Sequence, residues 1–505
     1  MRSPLLTRFR DLAGHGRIAV RDDHGARSYA DLFTRALVAR DCLCAGDPSL
    51  AGRRVALLAS PSSAWVEAFL GVLLGGGVAL PLSPLYPPAE LAWFAADAGA
   101  DTLILSPEHA ARAEAIAQDR RVIPIADLFA GAPHEPASIA EIPADATALL
   151  LYTSGTTGKP KGAMLSHEAI FTQASLLHAA WGMREDDTLL HALPLHHLHG
   201  LGISLLTCLL AGAEARMLPR FEAHRVWDAL AGATVWMAVP TMYQKLFEAF
   251  DAESESTQAR WAEHARGLRL ATSGSAALPV TLAARWKALT GAIPLERFGM
   301  TEIGVGMSNP LDPEARRPGS VGPALPTVES KIVDDHGQIS ETGPGELLIR
   351  GPSLFQGYWQ RDEATKSAFR DGWFCTGDIA ERSADGYVRL LGRTSVDILK
   401  SGGYKLSALE IEEALRESPA IAEVAVVGLP DETWGERVVA VVVAAPGREA
   451  ECAEDALRSW AKERMAPYKV PRSVITVAAL PRNPLGKVVK PELIRALREG
   501  TIQQV

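Results

Sequence analysis

The chain lacks the long unbroken apolar run that a membrane-spanning helix requires. Its longest apolar stretch, residues 66–82, is interrupted by Glu67 and by the glycines at 75–77. This pattern predicts a buried helix followed by a strand. Cysteines are few and scattered, at positions 42, 44, 208, 375 and 452. Their number and spacing exclude a disulfide framework or a zinc cluster and favour a reducing compartment.

An excess of basic residues is also missing. The 51 Lys and Arg residues against 60 Asp and Glu give a net charge of −9, which argues against a nucleic-acid or membrane partner. The N-terminus holds Arg2, Arg8 and Arg10 without a following apolar segment, so no signal peptide is predicted. We expect a cytoplasmic protein, with the mitochondrial matrix left open, that is a monomer or homodimer.

Short aliphatic runs alternate with amphipathic segments, a pattern that predicts parallel sheets covered by helices. The predicted strands cover residues 55–59, 78–82, 102–105, 122–125 and 148–152 in a first series, and 234–239, 268–273 and 293–298 in a second. The two series predict an α/β protein whose large N-terminal domain, residues 1–394, contains two parallel-sheet lobes.

The pattern of predicted secondary structure changes twice towards the C-terminus. Turn residues punctuate short strands over about 325–392, which predicts a small β subdomain. Beyond Gly392 and Arg393, Ser407 and Glu410 form a capping-box pattern that opens a helix. Residues 395–505 are therefore expected to form a separate, small α+β domain.

A segment rich in glycine, hydroxyl groups and lysine follows the strand at 148–152 and runs through residues 153–162. Glycine lets backbone N–H groups turn towards an anion, and hydroxyl and ammonium groups neutralise phosphate oxygens. The segment is not a Walker A loop, because Lys159 is followed by Pro160 instead of Ser or Thr. A P-loop kinase or ATPase is therefore disfavoured.

This phosphate loop resembles that of the adenylate-forming superfamily, which contains acyl-CoA synthetases, luciferases and the adenylation domains of peptide synthetases. Further segments resemble the family's motifs in the family's order, namely Ser273-Gly274-Ser275-Ala276, Arg297-Phe298-Gly299-Met300-Thr301-Glu302, Thr376-Gly377-Asp378, Gly392-Arg393 and Pro481-Arg482-Asn483-Pro484-Leu485-Gly486-Lys487. The resemblance covers nearly the whole chain and implies that the C-terminal domain is a mobile lid.

The resemblance implies two half-reactions. A carboxylate attacks the α-phosphate of ATP, giving an acyl-adenylate and pyrophosphate, and the thiol of coenzyme A then takes the acyl group. Lys487 is expected to bridge the carboxylate and the α-phosphate, and Thr301 to donate to that phosphate. Glu302 and Thr156 are the expected Mg²⁺ ligands. Lys490, close to Lys487, is interpreted as a solvated lysine.

The remaining nucleotide and coenzyme A contacts follow from the same resemblance. The expected residues are Thr153, Ser154, Gly155, Thr156, Thr157, Gly158 and Lys159 for the phosphates, Ser275 and Phe298 for the nucleotide, Asp378 and Arg393 for the ribose, and Gly402 and Gly403 for the thiol tunnel. Either Ser395 or Asp397 is the expected hinge residue. A core role for Phe298 and a surface role for Arg393 are the structural alternatives.

Arg297 occupies a position at which many fatty-acyl and aryl relatives have a small residue. An unpaired buried guanidinium would repel an alkyl tail and bind a second carboxylate through two hydrogen bonds. Residues 296–302 and 191–200 are similar to those of malonyl-CoA synthetases. We therefore expect ATP-dependent ligation of malonate, and of methylmalonate, to coenzyme A. The alternative is a salt bridge from Arg297 to Glu296 or to another acid, which would leave a plain short-chain pocket.

The other residues expected to bind the acyl group are His197, His199, Ser273 and Met307, with Ser308 helping to close the pocket. Each histidine could instead be a core residue, and Ser273 and Ser275 could serve the nucleotide. A short-chain monocarboxylate synthetase and a stand-alone adenylation domain that loads a carrier protein stay open as functions. A non-catalytic sensor is disfavoured because Lys487, Glu302 and Asp378 are all present.

Overall fold

The computed structural model describes residues 2–131, 141–153, 160–334, 336–394, 396–402, 404–483 and 488–502. The helices are α1 (Pro4–Leu12), α2 (Tyr29–Cys44), α3 (Ser63–Leu74), α4 (Pro88–Asp97), α5 (Ala110–Ala117), α6 (His167–Ala180), α7 (Thr207–Ala211), α8 (Ala223–Ala229), α9 (Pro240–Asp251), α10 (Glu255–Arg266), α11 (Val280–Thr290), α12 (Asp362–Ser367), α13 (Ala408–Arg416), α14 (Glu454–Lys462) and α15 (Lys490–Glu499). A π-helical segment, His199–Leu206, leads into α7.

The strands are β1 (Ile18–Asp22), β2 (Gly25–Ser28), β3 (Arg54–Leu58), β4 (Val78–Pro81), β5 (Thr102–Leu105), β6 (Arg121–Pro124), β7 (Thr147–Thr153), β8 (Lys161–Ser166), β9 (Thr188–His191), β10 (Glu214–Met217), β11 (Val235–Ala238), β12 (Leu270–Ser273), β13 (Leu295–Met300), β14 (Gly304–Ser308), β15 (Glu329–Val333), β16 (Gly345–Arg350), β17 (Gly357–Tyr358), β18 (Phe369–Arg370), β19 (Trp373–Arg382), β20 (Val388–Arg393), β21 (Ile398–Ser401), β22 (Tyr404–Ser407), β23 (Ile421–Asp431), β24 (Gly435–Ala444) and β25 (Ser473–Thr476).

Two large sheets form the N-terminal part of the molecule. The first has the strand order β17-β8-β7-β4-β3-β5-β6, and the second β14-β13-β12-β11-β9-β10-β1-β2. Their central strands are parallel, while β7–β8 and β13–β14 pair antiparallel. Central strands such as β3 are apolar and buried along nearly their whole length, as expected for a sheet covered on both faces. The predicted α/β class with two parallel-sheet lobes is confirmed.

The apolar stretch at 66–82 forms the buried end of α3 and the strand β4, as its interruptions predict. Ser62 caps α3 by accepting the backbone N–H of Trp65 at 3.3 Å. Glu67 is fully buried within this helix and accepts from Arg35 Nε at 2.8 Å, so its charge is paired. No helix among the described residues has both the length and the apolarity needed to cross a bilayer.

The second sheet contains strands that the sequence patterns did not indicate. Strand β1 comes from the N-terminus yet pairs in parallel with β10, almost two hundred residues later in the chain. Strands β9 and β10, each four residues long, were not among the predicted strands either. Such pairings depend on tertiary contacts, which local periodicity does not report.

Beyond the two lobes, an antiparallel sheet of β15, β16, β18, β19 and β20 forms the β subdomain. The described residues from Ile398 onwards build a further sheet, in the order β22-β21-β24-β23 with β25 on β24. Their apolar side chains form hydrophobic clusters of their own. Ser407 caps α13 by accepting the N–H of Glu410 at 3.1 Å, as predicted. The domain boundary at residues 394 and 395 stays a prediction.

Candidate active site

The candidate site lies where neighbouring parallel strands of the second sheet end. Strands β9, β11 and β12 run in parallel, so His191, Ala238 and Ser273 finish at the same edge of the sheet. Ligand sites of open α/β sheets form at this carboxyl edge. The π-helical segment beginning at His199 follows β9 at the same edge, and π-helical turns are frequent at functional sites.

The hairpin β13–β14 carries the Arg297–Glu302 motif. Its register pairs Arg297 with Ser308 and Phe298 with Met307. A side chain on Gly299 would overlap the backbone oxygen of Gly304, so this position of the motif requires glycine. Because side chains alternate along a strand, Arg297 and Phe298 point to opposite sides of the hairpin.

The guanidinium of Arg297 is buried and has no counter-charge within the described part of the chain. The residue is 4 % exposed, and its Nε and Nη2 atoms have no hydrogen-bond partner among the described residues. Burial lowers the pKa of Arg297 to about 10, which still leaves it charged at neutral pH. An unpaired buried cation with two free donors is costly in the empty protein and suited to bind a carboxylate.

Gly274 makes room for this guanidinium. A Cβ atom at position 274 would overlap the guanidinium group of Arg297. The neighbouring Ser275 has a φ of 70°, in the left-handed region where residues other than glycine are strained. The Ser273–Ala276 turn is therefore shaped around Arg297, a steric link that the sequence did not reveal.

Histidines line the same region. His199 Nδ1 lies 3.1 Å from Ser275 Oγ, and the Nε2 atoms of His196, His197 and His199 have no partner among the described residues. Burial, and then the charge of Arg297, lower the pKa of His199 well below its usual value. Burial lowers the pKa of His197 to about 4. These imidazoles are neutral at pH 7, which leaves Arg297 as the charge in this group.

The alternative salt bridge from Arg297 to Glu296 is wrong. Glu296 points to the other side of β13 and accepts the backbone N–H of Gly319 at 2.9 Å. Burial raises the pKa of Glu296 to about 7. The guanidinium is thus not neutralised by its sequence neighbour.

The expected substrate-binding residues are not all placed beside Arg297. Ser273 is 1 % exposed, its Oγ has no partner among the described residues, and it pairs with Glu296 across the sheet. Met307 is fully buried opposite Phe298. Ser308 Oγ accepts from Trp181 Nε1 at 3.0 Å and donates to Asn309 O at 2.9 Å, so these contacts already engage its hydroxyl.

Tyr358 joins the two lobes at the expected magnesium ligand. Its hydroxyl donates to Glu302 Oε1 at 2.9 Å, and Lys161 Nζ lies 5.0 Å from its ring centroid. Tyr358 lies on β17, which pairs with β8 of the first sheet. Glu302 is buried and offers hard oxygen donors, which suit Mg²⁺. Sequence reasoning missed Tyr358, because a Gly-Tyr pair in a turn-rich region carries no signal of its own.

The expected ribose residues meet across a strand pair. Asp378 on β19 is opposite Arg393 on β20, and Arg393 Nε lies 3.0 Å from Asp378 Oδ1. Asp378 N–H donates to Thr376 Oγ1 at 3.1 Å. Arg393 is therefore part of an ion pair with Asp378 and not an ordinary surface arginine. Thr301 and Thr153 are half-buried, at the ends of β13 and β7.

The interpretation of Lys490 as a solvated side chain is wrong. Lys490 is 8 % exposed, and its Nζ lies 2.5 Å from Asp397 Oδ1 and 2.7 Å from Glu412 Oε1. It is the first residue of α15. Its exposure could not be inferred because both acids are distant in the sequence.

Several expected site residues lie outside the described part of the chain. They are Ser154, Gly155, Thr156, Thr157, Gly158, Lys159, Ser395, Gly403 and Lys487. Gly402 is described and has a φ of 58°, with Trp434 packed against it.

The matching family models span most of the chain. A model described as "AMP-binding enzyme" covers residues 11–359, and one described as "AMP-binding enzyme C-terminal domain" covers residues 410–487. The chain belongs to the AMP-binding enzyme family. The Ser273–Ala276 and Arg297–Glu302 motifs lie in the first matched segment and Lys487 ends the second, whereas Thr376–Asp378 and Gly392–Arg393 lie between the two segments.

Individual relatives and solved structures are similar over almost the full length. The mitochondrial malonate–CoA ligase of Bos taurus is 41% identical, over 95% of this chain and 88% of the relative. The ATP-bound structure of MatB from Rhodopseudomonas palustris has a TM-score of 0.90 at 36% identity, covering 100% of both chains. A malonyl-CoA ligase solved with methylmalonyl-CoA and AMP has a TM-score of 0.68 at 37% identity, covering 95% of this chain and 100% of its own.

Replacing Arg297 should stabilise the ligand-free protein. In Arg297→Met the desolvation cost of the unpaired guanidinium disappears, so we expect the free energy of unfolding to rise by about 1–3 kcal/mol. Urea denaturation of both proteins measures this change.

Arg316→Met is the matched control. Arg316 is also buried, but its guanidinium donates to the backbone oxygens of Ile293 at 2.7 Å and Leu311 at 2.6 Å. Its loss leaves those acceptors unpaired and should destabilise the protein. A loss of stability in Arg297→Met equal to that in Arg316→Met would contradict the assignment of Arg297 as unpaired.

The raised pKa of Glu296 gives a pH dependence. Because its pKa is about 7 when folded and 4.5 in the reference state, the folded protein binds this proton more tightly. Its contribution to stability is therefore present at low pH and is lost as pH rises between these two values. We expect the free energy of unfolding of the unmodified protein, relative to Glu296→Gln, to fall by about 2–3 kcal/mol across this window. Denaturant titrations at several pH values test this, and parallel pH profiles would disprove it.

Proposed function

We propose that the chain is an AMP-forming ligase that joins malonate, and also methylmalonate, to coenzyme A through an acyl-adenylate. The observation that carries this proposal is the buried, unpaired guanidinium of Arg297. A pocket that must accommodate such a cation disfavours an alkyl chain and favours a carboxylate, which can accept from Nε and Nη2 together. The names of the similar ligases support the same substrate class.

The first half-reaction brings two anions together, so the protein must supply donors and cations in advance. Arg297 holds the distal carboxylate of malonate, and neutral His199 and His197 line the pocket beside it. The reacting carboxylate is thereby directed away from Arg297 towards the ATP phosphates. Thr301 donates to the α-phosphate, and Lys487 supplies the cation between the reacting groups.

Nucleotide binding engages both lobes and the β subdomain. Residues 153–159 hold the phosphates, Phe298 and Ser275 contact the nucleotide, and Asp378 accepts from the ribose hydroxyls while Arg393 orients it. Glu302, held by Tyr358, together with Thr156 would hold Mg²⁺, which would offset the negative charge of the phosphates. The buried carboxylate of Glu302 and the oxygen-rich donor set fit this ion.

The second half-reaction uses the C-terminal domain, residues 395–505, as a moving lid. Rotation of this domain about Asp397 or Ser395 moves Lys487 out of the active site and brings the Gly402–Gly403 segment into it. The two glycines allow close approach of the pantetheine arm. Met307 and Ser273 shape the remaining pocket. A cytoplasmic location, and a monomeric or homodimeric state, accompany this proposal as predictions of the sequence alone.

A short-chain monocarboxylate synthetase is the second candidate, and the unpaired guanidinium argues against it. An adenylation domain that loads a carrier protein is less well supported, because an amino-acid substrate would need an acid for its ammonium group and the group around Arg297 is cationic. Pyrophosphate release measured in parallel with malonate, methylmalonate, acetate, butyrate and succinate separates these functions.

The decisive variant is Arg297→Ala. We expect kcat/KM for malonate to fall by about a thousandfold, because the distal carboxylate would be buried without a partner. Activity with butyrate should be retained or should increase. Pyrophosphate release measured with malonate and with butyrate gives the ratio of the two kcat/KM values in each protein.

Glu296→Gln, on the same strand but the opposite side, is the control and should keep the preference for malonate. Malonate turnover that survives in Arg297→Ala would show that another group reads the second carboxylate.

A further inference from the structure

A buried ion cluster surrounds the first residue of α15. Lys490 Nζ lies 2.5 Å from Asp397 Oδ1 and 2.7 Å from Glu412 Oε1. The three residues are 8 %, 8 % and 3 % exposed, in that order. Glu412 Oε1 also accepts the backbone N–H of Val426 at 2.8 Å. The cluster therefore ties together α15, α13, β23 and the turn that precedes β21.

The cluster is too buried to be an ordinary surface ion pair. Burial by itself would lower the pKa of Lys490, but the charges of Glu412 and Asp397 outweigh it and the net shift is upward. The lysine is therefore firmly charged. Removing one member of such a buried group leaves an uncompensated charge and is strongly destabilising, so the ion pairs hold their elements together.

Asp397 continues the cluster towards the nucleotide residues. Its Oδ2 accepts the backbone N–H of Arg393 at 3.1 Å, and its own N–H donates to Arg393 O at 2.8 Å. The guanidinium of Arg393 contacts Asp378. A continuous series of polar contacts thus runs from Lys490 through Asp397 to the expected ribose residues.

Lys490 is close in the chain to the expected catalytic lysine, Lys487. Lys490 follows Lys487 by three residues, so the chain carrying the expected catalytic lysine enters α15 at the point that the cluster holds. Catalytic groups must be placed to within a fraction of an ångström, and misplacement by about 1 Å can cost a hundredfold in rate.

We propose that Lys490 is a positioning residue for the adenylation half-reaction, since its ion pairs with Asp397 and Glu412 hold the start of α15, three residues after Lys487, next to the end of β20. This inference rests on the proposed function, because it assigns Lys487 to adenylation. Thioester formation does not use Lys487 and should not depend on the cluster.

The test measures the two half-reactions separately in the full-length protein. Pyrophosphate release from ATP and malonate reports adenylation, and malonyl-CoA formation from prepared malonyl-adenylate and CoA reports the second step. In Lys490→Met we expect adenylation to fall by about a hundredfold, mainly in kcat, with the second step within about threefold of the unmodified protein. Lys490→Arg, which keeps the charge, should recover a large part of the adenylation rate.

Two further variants keep the test decisive. Lys490→Met combined with Glu412→Gln removes the carboxylate repulsion that could prevent folding, and it should show the same selective loss. Lys469→Met breaks another short ion pair of this region, Lys469 with Glu410 at 2.5 Å, and should leave adenylation unchanged.

Equal losses in both half-reactions, or no loss in either, would overturn the role of Lys490. Failure of the proposed function is a different result, because the unmodified protein would then release no pyrophosphate with malonate. If another acid of the panel is adenylated instead, the same comparison of variants is made with that acid.

Discussion

The guanidinium of Arg297 is charged, buried and unpaired in the described structure, and the candidate site is arranged around this constraint. Gly274 has no side chain where the guanidinium packs, and Ser275 accepts a left-handed backbone conformation in the same turn. The nearby histidines are neutral because they are buried, so they do not add to the positive charge. The desolvated guanidinium destabilises the ligand-free protein, and a second carboxylate on the substrate would remove this cost by pairing with it.

The fold brings distant segments to this cation. Parallel strands of the second sheet end beside it, and the antiparallel hairpin β13–β14 carries Arg297 on one side and Phe298 on the other. Tyr358 connects the first sheet to Glu302, and the pair of Asp378 and Arg393 comes from the β subdomain. Under the proposed function, acyl recognition and nucleotide binding would therefore use different parts of the fold that meet at this hairpin.

Local patterns were enough to predict most of this arrangement. Strand β5 has the bounds that the periodicity indicated, and ordered motifs indicated the family. The contacts that depend on tertiary structure were not predictable. No pattern near residue 18 shows that β1 pairs with β10, none near Tyr358 shows its bond to Glu302, and Lys490 was interpreted as solvated because Asp397 and Glu412 are far away in sequence. Glu296 adjoins Arg297 in the chain, yet strand alternation separates their side chains.

A crystal structure of the chain with malonyl-adenylate tests the central claim most directly. The account predicts that the distal carboxylate lies within hydrogen-bonding distance of both Nε and Nη2 of Arg297, with His199 beside it. A distal carboxylate bound elsewhere, with the Arg297 guanidinium still unpaired or turned towards another protein group, would contradict the account.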